Sequence, residues 1–267
     1  MNVSEKMSKP KSIMTRRLAK TALNWTLIAI GAFIFSGCDD DPPPIDHNTN
    51  ELTISLNHQW DGEDLQLNSW YTTFNSDSFM PTKLVYHINN FVFMDASGGQ
   101  YSLSNTWFMV NSEETLKPTF KTNTISDRQL TSVKFTIGVS DSATNASGAL
   151  NTIFTDPMYW GMANGYINFK LEGKSPSVSN EGVILHTGGY LAPYIATAEV
   201  EIFFPSGGEV SGNLGTNNLT LNVDLAEYFD NPNLIDLSTT NEIHAPSDEA
   251  VTISKNWPSM FTFGKVN

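Results

Sequence analysis

From residue 51 onward, apolar and polar residues alternate with a period of two. Leu52, Ile54 and Leu56 share one face of the first such run. Val133, Phe135 and Ile137 repeat the pattern, as do Ala198, Val200, Ile202 and Phe204, and then Leu219, Leu221, Val223 and Leu225. Successive side chains of an extended strand point to opposite sides, so each run predicts a strand with one buried face. Residues 83–95 (KLVYHINNFVFMD) and 165–172 (GYINFKLE) predict two more strands, the first apolar on both faces. Ser97-Gly98-Gly99, the stretch 173–182 and Ser206-Gly207-Gly208 read as the turns between them. Helical signals are confined to residues 149–154 and 247–256. In the second, Ser247 is placed to cap a first turn that carries Asp248 and Glu249. There is no internal repeat. The pattern predicts an all-β fold, a single antiparallel β-sandwich or barrel-like domain over residues 51–267.

The first fifty residues follow another logic. Lys6, Lys9, Lys11, Arg16, Arg17 and Lys20 form a basic start, and an apolar run of residues 21–35 follows. That run is shorter than the roughly 20 residues a membrane helix needs. Phe35-Ser36-Gly37-Cys38 then resembles a bacterial lipobox, in which small residues precede a cysteine that is lipidated. Residues 1–37 are thus expected to be a lipoprotein signal peptide, with Cys38 the lipidation site. Residues 38–50, acidic and with three consecutive prolines, read as an extended tether. The expected location is outside the cytoplasm, anchored to a membrane through the lipid and facing the periplasm or the cell surface.

Composition narrows the function. With 40% hydrophobic and 16% charged residues, the chain is too apolar to be disordered. Its net charge is −13. Six of the 15 basic residues and one of the 28 acidic ones lie in residues 1–37, which leaves 9 and 27, a net −18 for the remainder. A phosphate-binding face needs a cationic surplus, so nucleic acid is excluded as a partner. The one cysteine is assigned to the lipid, which excludes a disulfide framework, a Cys-rich zinc site and a blue-copper centre. No nucleophile elbow, phosphate loop or His-Glu-x-x-His motif is present, and no enzymatic activity is expected.

Four histidines carry the candidate chemistry of the domain. His58 continues the face of Leu52, Ile54 and Leu56, with Trp60 on the same side. His87 lies mid-strand, where packing explains it equally well. His186 ends a strand at Gly188-Gly189, and His244 follows Glu242-Ile243 in a loop setting. Met158, Trp160 and Met162 belong to the densest soft and aromatic segment of the chain. Thioethers and indoles beside imidazole suit a soft ion such as copper(I).

In order, five pieces carry a family resemblance: Leu56-Asn57-His58; Lys83, Tyr86 and Asn89-Asn90-Phe91; Met158-Tyr159-Trp160 with Gly165-Tyr166; Leu185-His186-Thr187-Gly188-Gly189; and Ile243-His244 with Asn256 and Met260-Phe261. Together they resemble the MbnP-like family of exported bacterial copper-binding proteins, in the lipoprotein form typical of Bacteroidetes. The resemblance implies an all-β protein that binds one copper ion, as Cu(I), through two histidines. It further implies an oxidised tryptophan, kynurenine, made by a partner dihaem protein of the cytochrome c peroxidase type. The matching positions nominate His58 and His186 as ligands ahead of His87 and His244. Trp160 is the matching tryptophan and Trp60 its competitor. Two departures stand out: Met162 where a second tryptophan is frequent, and His87 where an aromatic is commoner. The competing expectation is a surface lipoprotein that binds glycan or protein, with Trp70, Trp107 and Trp257 as stacking platforms.

Overall fold

The computed structural model describes residues 52–103, 107–122, 129–140, 157–161, 164–205, 210–211 and 217–266. Cys38, Met162, residues 149–154 and the turn Ser206-Gly207-Gly208 lie outside the described residues.

Among the described residues there are sixteen strands. They are β1 (Leu52–Trp60), β2 (Glu63–Asp64), β3 (Tyr71–Thr72), β4 (Ser78–Asp95), β5 (Gln100–Ser102), β6 (Trp107–Asn111), β7 (Thr119–Lys121) and β8 (Gln129–Ile137). Then come β9 (Tyr159–Gly161), β10 (Gly165–Lys174), β11 (Gly182–Gly188), β12 (Ala198–Phe203), β13 (Val210–Ser211), β14 (Asn217–Asp224), β15 (Glu242–Ile243) and β16 (Phe261–Val266). The first sheet runs β16-β14-β1-β2, with β7 also paired to β1. The second runs β12-β8-β4-β10-β11-β15, with shorter strands added along β4, β8 and β10. The all-β prediction holds. Pairing is mostly antiparallel, but β1 lies parallel to β14 and β11 parallel to β15.

The two sheets bury their apolar faces against each other. Ile54, Leu56, Leu219 and Leu221 from the first meet Tyr86, Phe135, Phe169 and Leu185 from the second in one core. Tyr86 stacks on Phe169 at 4.9 Å, and Phe169 on Trp257 at 5.4 Å. Trp257 is 0% exposed, so it is a core residue and no sugar platform, whereas Trp70 is 54% exposed and Trp107 partly so. The 18 residues of β4 are long enough to serve several neighbours, among them β6 through Val85–Asn89 and β8 through Ile88–Asp95. The β4–β8 pairing shifts register between Asn89 and Val92, and there Asn90 adopts φ 56°, a left-handed conformation that asparagine tolerates better than most residues.

The predicted C-terminal helix is present as α1 (Asp248–Ser254). The Ser247 hydroxyl accepts a hydrogen bond from the Ala250 N–H at 3.2 Å, and Ala250 and Ile253 turn inward. No helix among the described residues is long and apolar enough to cross a membrane.

Candidate metal centre

His58 occupies the inward face of β1, as parity requires, and is 1% exposed. Its Nδ1 lies 2.6 Å from the Leu116 carbonyl, which can only accept, so Nδ1 carries the proton and donates. Nε2 must then accept, and it does so from the Tyr86 hydroxyl at 2.9 Å. Both ring nitrogens are therefore spent on the fold. Burial pushes the imidazole pKa down to about 4, partly countered by the Leu116 carbonyl, so the ring is neutral at physiological pH. Its predicted neighbour Trp60 stacks on Tyr71 at 4.6 Å and packs with Phe79 and Phe229, as a core residue.

His186 stands on the other side of the second sheet. Along β11, Val183 and Leu185 face the core while Ile184 and His186 point outward. The structure therefore does not bring His58 and His186 together: a sheet separates the two imidazoles. The partner it does supply is His244. Parallel pairing of Leu185 with Ile243 carries the residues after β15 alongside β11, and the His186 and His244 rings sit 5.5 Å apart, edge to face. Glu172, from the neighbouring strand β10, accepts from His186 Nε2 at 2.7 Å. Glu242 accepts from His244 Nε2 at 3.0 Å.

Two imidazoles, each backed by a carboxylate, thus adjoin on one outer face. Fixing the proton on Nε2 leaves the lone pair on Nδ1, and no hydrogen bond engages either Nδ1 among the described residues. Burial pushes the His186 pKa down; Glu172 draws it back up, and Lys170 opposes that pull. No group of three or more histidines, cysteines or carboxylates is arranged to hold a metal ion among the described residues. The arrangement suits an ion content with two nitrogen donors.

The soft aromatic segment packs on this same outer face. Here β9 pairs with the start of β10, and Met158 is fully buried with Val85 and Ile167 in a small second core, against which Met109 and Trp160 lie. The Trp160 ring reaches Gly188, two residues beyond His186: a Cβ on Gly188 would stand 3.0 Å from its Cζ3. His87, 0% exposed and opposite Met109, faces a separate small cluster of Val139, Tyr166, Trp107 and Tyr159, with its ring 5.6 Å from Trp107 and 6.0 Å from Tyr166.

Sequence reasoning missed three residues of consequence. Tyr86 as the partner of His58 has no local signal, since it comes from the other sheet. Glu242, two residues before His244, has one, because that spacing in extended chain puts both side chains on one side. Glu172 was equally readable as outward-facing, but its pairing to His186 depends on the β10–β11 register.

Comparisons with known proteins bear on this geometry. No curated protein matches the chain. Among solved structures, MbnP from Methylosinus trichosporium is similar with a TM-score of 0.49 at 11% identity, covering 81% of this chain and 98% of that one. The profile of the MbnP family matches residues 49–245, which include β1, β4, β9 to β11 and both outward histidines. On that match, the chain belongs to the MbnP family.

Proposed function

We propose that this protein is an exported, lipid-anchored copper-binding protein that acquires, stores or hands over one copper ion without catalysis of its own. His186 and His244 supply the imidazoles. The observation that carries the assignment is their 5.5 Å ring separation, with each Nε2 held by a glutamate and each Nδ1 uncommitted. Membership of the MbnP family supports the choice of metal, and a two-nitrogen donor set on a soft aromatic face suits copper(I). His58, first among the candidates by sequence, takes a structural role instead, because Leu116 and Tyr86 occupy both of its nitrogens. Trp160, beside Gly188 on the same face, is the tryptophan assigned for oxidation to kynurenine, with a dihaem protein as the partner that supplies the oxidant.

Equilibrium dialysis of the purified protein against copper(I) tests the reading. Wild type retains one copper per chain, His186→Ala and His244→Ala each lose it, and a folded His58→Gln keeps it. Retention of copper by both outward variants would overturn the ligand assignment. For the modification, intact mass after co-production with the dihaem partner should show a shift that peptide mapping places on Trp160. A shift on Trp60 instead would reverse that choice.

A further inference from the structure

The outward face of the first sheet carries an open cleft, remote from the histidines in the lining it presents. Its side chains alternate with the core residues of β1 and β14, and they are hydroxyls and amides. Parallel pairing sets Ser55 beside Thr220 and Asn57 beside Asn222, while β7 adds Thr119 next to Ser55. Ser55, Asn57, Thr220 and Asn222 are only half-buried, because they floor an open cleft of about 500 Å³. That volume lies within the range of small-molecule sites.

The cleft is open because of Gly264. A Cβ there would stand 2.8 Å from the Thr220 carbonyl oxygen and 3.0 Å from Asn222 Oδ1. Without one, β16 runs close to β14 and leaves the amide of Asn222 accessible.

Part of the hydrogen-bonding capacity of the floor is already used, and the remainder is informative. Ser55 donates to Asn218 Oδ1 at 2.8 Å, so the Thr119 hydroxyl, 3.1 Å away, donates to Ser55. The Asn57 amide nitrogen is directed at the Asp64 carboxylate, which Lys117 also holds at 2.7 Å. This fixes the orientation of the Asn57 amide and leaves Oδ1 as a buried acceptor with no hydrogen-bond partner among the described residues. That oxygen is sealed from solvent, so the groups of the floor that a ligand can reach are the Thr220 hydroxyl and the Asn222 amide.

Charge decides the class of ligand. Lys117 is neutralised by Asp64, which leaves Lys265 as the cation at the other side of the cleft, in a chain of net charge −13. A polyanion is repelled by that surplus, whereas the uncharged floor complements hydroxyl groups that both donate and accept. We propose that this cleft binds a neutral saccharide, with the Thr220 hydroxyl and the Asn222 amide as its principal hydrogen-bonding groups.

An array of neutral and acidic glycans probed with the purified protein, followed by calorimetry on the strongest hit, tests this. Neutral glycans should be retained. Asn222→Asp, which replaces a donor by a charged acceptor of the same shape, should weaken binding roughly tenfold or more. Thr220→Val is isosteric and β-branched, so it keeps the strand and its melting temperature while removing one hydroxyl; it should weaken binding severalfold. An array without hits, equal binding by both variants, or binding of acidic glycans alone that disappears with Lys265→Ala would each overturn the proposal.

Discussion

At the scale of single residues, His58 and His186 differ because of what their nitrogens face. His58 donates through Nδ1 and accepts through Nε2 inside the core, so protonation requires reversing the Tyr86 hydrogen bond in a place sealed from solvent. Its folded pKa of about 4 lies below the ordinary value of 6.5, so between these values the unfolded chain binds more protons than the folded one. Stability is therefore unaffected above pH 6.5, declines as the pH falls towards 4, and levels off below that. The difference amounts to about 3 kcal/mol. Urea unfolding between pH 4 and 7.5 should show this slope, and a folded His58→Gln should flatten it. An unchanged slope would mean that another group titrates. Alternation along β1 made the inward position of His58 legible from sequence, together with Trp60 beside it. It could not reveal Tyr86, because contacts between sheets depend on how two separately patterned faces are stacked.

At the scale of elements, the outward face of β11 depends on glycine. A Cβ on Gly188 would stand 2.2 Å from the Tyr166 carbonyl oxygen, on the neighbouring strand, and 3.0 Å from the Trp160 ring. Gly188→Ala should thus push β10 and β11 apart and displace Trp160, at a cost of about 1–3 kcal/mol. Tryptophan fluorescence and thermal unfolding would register it; a variant with wild-type emission and melting temperature would contradict the close approach. The sequence made the strand and its Gly188-Gly189 ending visible. It did not show that His244 lies beside His186, because the register of β11 on β15 joins Ile184 to Glu242. Long-range parallel register leaves little local trace. By contrast α1 was readable down to its cap, since Ser247, Asp248 and Glu249 act within a single turn.

At the scale of the whole molecule, stability rests on the stacked aromatics between the sheets. Trp257 closes this stack, fully buried against Phe169. Trp257→Ala should cost about 3–5 kcal/mol. In a domain of this size, that lowers the melting temperature by roughly 10 °C. A drop of a degree or two would show that the neighbouring rings close the gap.

The parallel pairing of β1 with β14 has a consequence for assembly. Ser55 and Asn218, hydrogen-bonded across that ladder, are 163 positions apart in the chain. The first strand to leave the ribosome thus waits for nearly the last to be made before it acquires its central neighbour. Until then β1 has only β2 and β7 along its other edge, and a nascent polypeptide that stops short of Asn217 leaves the β14 edge unpaired, a natural target for holding chaperones and for premature clumping.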